Sequence, residues 1–83
     1  MKVTIKYFAS IREAIGQGSE VRDTTATTLA ALRDELLAAT PAHAASLARG
    51  RSVRMALNQV MSDEVALLSD GCEVAFFPPV TGG

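Results

Sequence analysis

A single helical stripe limits the folds open to this chain of 83 residues. Leu29, Leu32 and Leu36 recur at the three- and four-residue spacing that places side chains on one face of a helix. Thr27-Thr28 supplies N-cap residues, and Thr40-Pro41 is expected to end the helix because the residue before a proline is pushed out of the α region. One helix with one apolar face must bury that face against a sheet.

Alternating segments on both sides of the helix supply that sheet. The period-two pattern predicts strands at residues 2–8, 19–23, 53–58 and 73–77. Short helical segments are expected at residues 10–15 and 42–47. The order strand, strand, helix, strand, strand predicts an α+β domain of the β-grasp arrangement, with the first and last strands in the centre of the sheet.

The composition argues against several classes of protein, among them nucleic-acid-binding and membrane proteins. The formal net charge is -1 and no run of lysine or arginine occurs, which argues against a nucleic-acid partner. No apolar run approaches the roughly 20 residues that span a bilayer, and the charged N-terminal segment does not resemble a signal peptide. Cys72 is the only cysteine, which excludes an intramolecular disulfide and fits a reducing compartment. We therefore expect no membrane association and a cytoplasmic location.

Candidate catalytic residues inside the domain are few. His43 is the only histidine and is expected on the surface or at a helix end, where alone it makes neither a metal site nor a triad. Cys72 has no neighbouring histidine or CxxC partner, so we interpret it as a plain small side chain. No glycine-rich phosphate loop is present. The sequence predicts no metal site, no cofactor bound by this chain and no active site of its own.

The C-terminal tail is the strongest candidate for chemistry. Pro78-Pro79 forbids further ladder pairing, which predicts a domain over residues 1–77 and a flexible tail over residues 78–83. Gly82-Gly83 is only a backbone wide, so it can thread a narrow channel and present its carboxylate to a nucleotide in another protein. An acyl-adenylate formed there is open to a sulfur nucleophile, which gives a thiocarboxylate that can donate sulfur. The alternative is a merely frayed terminus.

Two aromatic residues lie, by parity, on the face of the sheet away from the helix. Phe8 follows Lys2, Thr4 and Lys6 in the alternation of the first strand. Phe77 has the same position in the last strand, so a central pairing of the two strands brings both rings together. An exposed aromatic patch at the root of the tail predicts a docking surface, which Arg12 would rim. The alternative is a register irregularity that buries one phenylalanine.

The last strand and tail, Asp70 to Gly83 (DGCEVAFFPPVTGG), resemble the MoaD family, the small subunits of molybdopterin synthase. The resemblance extends over nearly the whole chain, and its other matching segments are Tyr7-Phe8-Ala9 followed by Arg12-Glu13, Thr28 to Leu36, and Leu57-Asn58-Gln59. Cys72 stands where acidic residues are common in the family. The resemblance implies partner-binding positions at Phe8, Arg12, Met61, Phe77, Pro78, Pro79, Val80 and Thr81, and a reacting terminus at Gly82 and Gly83. Met61 replaces a frequent leucine of similar size.

The resemblance implies a ubiquitin-like β-grasp fold, a mixed sheet with one main helix packed on one face. It implies a sulfur carrier of molybdenum cofactor biosynthesis whose Gly83 is adenylated by a MoeB-type enzyme with ATP and Mg²⁺, then converted to a thiocarboxylate by a sulfur donor. The tail would insert into a MoaE-type large subunit that holds the cyclic pyranopterin precursor and most of the active site, within a heterotetramer. The alternatives are a carrier for thiamine or tRNA thiolation, and a ubiquitin-like interaction module without sulfur chemistry.

Overall fold

The computed structural model describes residues 1–79; the predicted tail residues Val80, Thr81, Gly82 and Gly83 lie outside the described residues. The described elements, in chain order, are β1 (Lys2–Tyr7), α1 (Ala9–Ile15), β2 (Ser19–Asp23), α2 (Leu29–Leu37), α3 (Pro41–Leu47), β3 (Arg54–Leu57), β4 (Val60–Ser62) and β5 (Glu73–Phe77).

The sheet has the strand order β2-β1-β5-β3-β4. β1 and β5 pair in parallel, whereas β1 with β2, β3 with β5 and β3 with β4 are antiparallel. The predicted α+β class and the central position of the first and last strands are therefore confirmed, as is the mixed character of the sheet. The β-grasp arrangement follows from this order, with the chain leaving the sheet from a central strand.

The predicted helical stripe forms the centre of the core. Leu29, Leu32 and Leu36 are all fully buried, and they share one core with the inward side chains of β1 and β5. Burial of each leucine contributes about 1.5–3 kcal/mol. Thr28 is the N-cap, because its Oγ1 accepts a hydrogen bond from the N–H of Ala31 at 3.1 Å.

The helix ends earlier than predicted, and two further helices accompany it. α2 stops at Leu37, and Thr40 is the N-cap of α3, where its Oγ1 accepts a hydrogen bond from the N–H of His43 at 3.1 Å. Pro41 is the first residue of α3, a position at which the missing N–H of proline costs nothing. The Thr40-Pro41 pair thus begins the next helix instead of ending the first.

A buried arginine holds α3 beside α2. Arg33 donates from Nε to the carbonyl of Leu47 at 2.7 Å and from Nη2 to the carbonyl of Ala48 at 3.1 Å. These carbonyls stand at the end of α3, where no intrahelical N–H reaches them. Burial is the main cause that lowers the pKa of Arg33. The guanidinium is therefore a cap supplied from a neighbouring helix.

Two strands are shorter than the period-two pattern predicts, whereas β2 and β5 have the predicted bounds. β1 ends at Tyr7, and β3 covers only Arg54–Leu57. Asn58 and Gln59 have φ of 50° and 68°, and they form the expected two-residue turn between β3 and β4. β4 is three residues long, too short for a periodic pattern to reveal it.

Candidate docking face and tail root

The open face of the sheet presents the two predicted aromatic side chains together. Phe8 and Phe77 stack with ring centroids 4.8 Å apart and an interplanar angle of 11°. Phe8 is 40% exposed and Phe77 is half-buried. The pairing register of β5 stays regular as far as Arg54 opposite Phe77, so the alternative of a register irregularity is wrong. The parity prediction for the two rings is confirmed.

An apolar strip continues from these rings across the sheet. Ala75 lies opposite Ala56 in the β3–β5 pairing, and Ala56 lies opposite Met61 in the β3–β4 pairing. Side chains of directly opposed residues share a face, so the apolar strip consists of Phe8, Phe77, Ala75, Ala56 and Met61. Ala75 and Ala56 are buried between their neighbours, so the exposed area of the strip comes from Phe8, Phe77 and Met61. Met61 is 57% exposed. The family resemblance had singled out three of these residues, and the fold places them on one surface.

Charged side chains border the strip without crossing it. Lys6, opposite Ala75, forms an ion pair with Glu73 at 3.2 Å on the same face. Both side chains are partly exposed, so the pair contributes less than about 1 kcal/mol to stability. It does, however, leave this side of the strip locally neutral.

The tail leaves the sheet beside the stacked rings. The N–H of Phe8 donates to the carbonyl of Phe76 at 3.2 Å, which extends the β1–β5 pairing to the end of β5. Pro78 is half-buried and Pro79 is exposed. Neither proline has an N–H to donate, so regular ladder pairing cannot continue through them. The root of the tail is the point where Pro78 and Pro79 leave β5.

Arg12 lies near the Phe8 end of the strip. A Cβ atom added at Gly18 would come within 3.1 Å of Nε and Cζ of Arg12, so the absent side chain leaves room for the guanidinium. The carbonyl of Gly18 accepts a hydrogen bond from the N–H of Tyr7 at 2.9 Å, which places this contact at the end of β1. Phe8 and Phe77 therefore meet at the tail root, and Arg12 lies at the same end of the sheet with its guanidinium beside Gly18.

His43 is buried, not on the surface, although it does lie in the first turn of a helix as expected. Its Nε2 is 3.2 Å from Oε2 of Glu20, and the hydroxyl of Tyr7 donates to the same oxygen at 3.0 Å. Burial, followed by the charge of Glu20, raises the pKa of Tyr7. Thr40 Oγ1 is 2.7 Å from Nδ1 of the imidazole. This polar cluster joins α3 to β1 and β2 inside the domain, on the face opposite the strip.

Cys72 is buried at the start of β5, at the far end of that strand from the tail root. Its carbonyl accepts a hydrogen bond from the N–H of Thr4 at 3.0 Å. This position suits the small apolar side chain that the sequence predicts there. Among residues 1–79, no three His, Cys, Asp or Glu side chains come together as a metal site would require. No helix in the same part of the chain has the length and apolarity to cross a bilayer.

The chain is a small β-grasp domain with an apolar strip at the root of its tail. Sequence comparison shows which family of such domains it belongs to. Residues 5–83 match the ThiS family, and the chain therefore belongs to this family. It is 37% identical over 81 residues to the molybdopterin synthase sulfur carrier subunit of Escherichia coli, a match that covers 98% of this chain and 99% of that protein. The resemblance to molybdopterin synthase small subunits is thus confirmed.

Solved structures agree on the fold. SAMP1 from Haloferax volcanii superposes with a TM-score of 0.80 at 25% identity, with both chains covered completely. A second similar structure is a complex of subunits 1 and 2 of the molybdopterin-converting factor from Helicobacter pylori, with a TM-score of 0.72 at 26% identity and full coverage of both chains. The ubiquitin-like β-grasp fold is confirmed by these likenesses.

Proposed function

We propose that this protein is the sulfur carrier subunit of a molybdopterin synthase. The observation that carries the proposal is the apolar strip ending at the root of the diglycine tail, because it combines a docking surface with a presented carboxylate. The curated relatives named as sulfur carrier subunits of this enzyme supply the pathway. The chain is a non-catalytic subunit that works in the cytoplasm, in keeping with its single buried cysteine.

The chemistry begins at the Gly83 carboxylate, inside a MoeB-type activating enzyme that uses ATP and Mg²⁺. A carboxylate oxygen attacks the α-phosphorus of ATP, pyrophosphate leaves, and the product is an acyl-adenylate. Hydrosulfide supplied by a sulfur donor then attacks the acyl carbon, AMP leaves, and the product is a thiocarboxylate. Gly82-Gly83 suits this step because it carries no side chain to obstruct a narrow channel.

Sulfur transfer takes place in a MoaE-type large subunit that binds the cyclic pyranopterin precursor. The thiocarboxylate sulfur attacks a carbon of the precursor and displaces an oxygen group from it, so that a C–S bond replaces a C–O bond; water then hydrolyses the acyl–sulfur bond, which leaves a thiol on the pterin and restores the carboxylate. The Helicobacter pylori complex of subunits 1 and 2 supports a large-subunit partner. Two small subunits on a dimer of large subunits complete a heterotetramer.

The short tail makes docking obligatory. The four residues from Val80 to Gly83 span at most about 14 Å even when fully extended. Any active site that acts on Gly83 must therefore lie within that distance of Pro79. A partner this close to Pro79 comes near the stacked rings of Phe8 and Phe77, and the apolar strip offers it a contact surface.

Intact mass spectrometry tests the proposal. The chain is incubated with a MoeB-type enzyme, ATP, Mg²⁺ and a sulfur donor, and exchange of one terminal oxygen for sulfur adds about 16 Da. The matched control lacks Gly83; it is expected to keep the wild-type thermal stability and to donate no sulfur to the precursor, because the shortened tail no longer reaches the acceptor. No mass change in the full chain with any adenylating partner would refute the carrier role and favour an interaction module. A thiocarboxylate that no large subunit accepts would favour a carrier for thiamine or tRNA thiolation.

A further inference from the structure

Among the described residues, three of the four exposed Lys and Arg side chains that form no ion pair lie near one end of the sheet, and the fourth, Lys2, lies at the other end. Within residues 1–79, the Lys and Arg side chains that form ion pairs with carboxylates are Lys6, Arg22 and Arg49. Arg33 instead donates hydrogen bonds to backbone carbonyls at the end of α3. None of the ion pairs or side-chain hydrogen bonds in this part of the chain includes Arg12, Arg51 or Arg54, and all three side chains are exposed. These three arginines are therefore available to an external partner.

The three arginines approach the tail root from different sides. Arg54 lies opposite Phe77 in the β3–β5 pairing, so it borders the apolar strip. Arg51 lines a groove of about 760 Å³ on the helix side of the root, together with Pro78 and Pro79. Arg12 lies on α1, at the end of β1. We call these three side chains the basic rim.

The charge of the molecule is uneven along the strands. Asp23 ends β2 and Asp70 precedes β5, and both lie at the end of the sheet away from the tail root. Two carboxylates stand nearer the rim without forming an ion pair with it: Glu13 on α1, and Asp63, which follows β4 next to Arg54 in the β3–β4 register. In the part of the chain that the structure describes, the end of the sheet where the tail leaves thus carries three arginines outside ion pairs against these two carboxylates.

We propose that Arg51 and Arg54, with Arg12, select partners whose channel mouth is acidic. This inference rests on the proposed function, because a partner that acts on Gly83 must bring the mouth of its channel to within about 14 Å of Pro79. Its surface then faces the basic rim, and cations buried without carboxylates would oppose docking. Rim charges act chiefly on the association rate, since they steer the encounter before the apolar contacts form.

Charge reversal tests the basic rim. The double variant R51E/R54E is compared with wild type for binding to the purified molybdopterin synthase large subunit of the same organism, by stopped-flow kinetics at low and high salt. We expect the association rate at low salt to fall about tenfold or more, with a nearly unchanged dissociation rate and a smaller difference at high salt. The conservative R51K/R54K variant is expected to keep most of the rate.

The matched control is Lys2→Glu, which reverses an exposed cation at the other end of β1. Thermal unfolding of each variant verifies the fold. Equal association rates for wild type and R51E/R54E at low salt would overturn the inference, as would an equal loss in Lys2→Glu. If wild type binds the large subunit and donates sulfur while these rates are equal, only the basic rim is refuted. If wild type accepts no sulfur at all, the proposed function itself fails.

Discussion

Replacement of Phe77 by alanine separates docking from folding. In the monomer the ring is half-buried and contacts Phe8 at the surface, while the adjacent Phe76 fills the core and is untouched. The stacked pair is worth about 0.5–1.5 kcal/mol beyond its buried area. Because the ring keeps part of its surface in water, we expect Phe77→Ala to lower the free energy of unfolding by about 1–2 kcal/mol.

The same substitution is expected to cost more in the complex. In the proposed complex we expect the ring to be fully buried beside Phe8, near the centre of the contact around the tail root. Truncation of a central aromatic anchor typically costs about 2 kcal/mol or more, which is about a thirtyfold increase in Kd. Isothermal titration calorimetry with the large subunit measures Kd, and chemical denaturation of the free chain measures stability.

Val21 provides the control on the same face of the sheet. It lies on β2 opposite Thr4, outside the apolar strip, and is 68% exposed. We expect Val21→Ala to change stability and affinity by less than about 0.5 kcal/mol. A loss of about 3–5 kcal/mol in Phe77→Ala, as for a core aromatic, together with an unchanged Kd, would show that Phe77 belongs to the core.

Two further predictions concern the domain itself. Arg33→Met leaves the carbonyl of Leu47 without a donor, while the carbonyl of Ala48 keeps the N–H of Arg51, and we expect a loss of about 2 kcal/mol and of about 10 °C in Tm, measured by thermal unfolding; an unchanged Tm would show that solvent satisfies the Leu47 carbonyl equally well. Burial opposes ionisation of Glu35, but hydrogen bonds from Arg22 and Thr24 outweigh it and lower the pKa of this carboxyl. Stability from the Arg22–Glu35 pair is therefore present above the ordinary pKa of 4.5 and lost as the pH falls through the lower folded value. Arg22→Gln should thus be less stable than wild type by about 0.5–1 kcal/mol at neutral pH, with a difference that vanishes in acid; a pH-independent difference would contradict this assignment.

Helical spacing and strand alternation in the sequence were enough to predict, in the longer elements, side chains that are buried and side chains that face outward. The burial of Leu29, Leu32 and Leu36 follows from helical spacing, and the outward placement of Phe8 and Phe77 follows from strand parity. Both rules require only that an element be long enough to repeat itself. The amino-acid sequence alone is therefore enough to locate part of the docking face.

Features made by distant segments were not visible in the sequence. Met61 reaches the apolar strip through a three-residue strand, and only family resemblance had marked it. The burial of His43 depends on Glu20, 23 residues away, so no neighbouring residue indicated it. The basic rim was also missed, because Arg51 and Arg54 acquire their place from the pairing of β3 with β5.

The central position of β5 also has a mechanical consequence. Its backbone is bonded to β1 on one side and to β3 on the other, and the tail continues directly from its end. Tension applied to the tail, as when a partner releases it from a channel, loads both rows of hydrogen bonds along the strand at the same time. Such loading shears many bonds together instead of opening them one by one from an edge. We therefore expect the domain to resist unfolding when the tail is pulled out of a partner's channel.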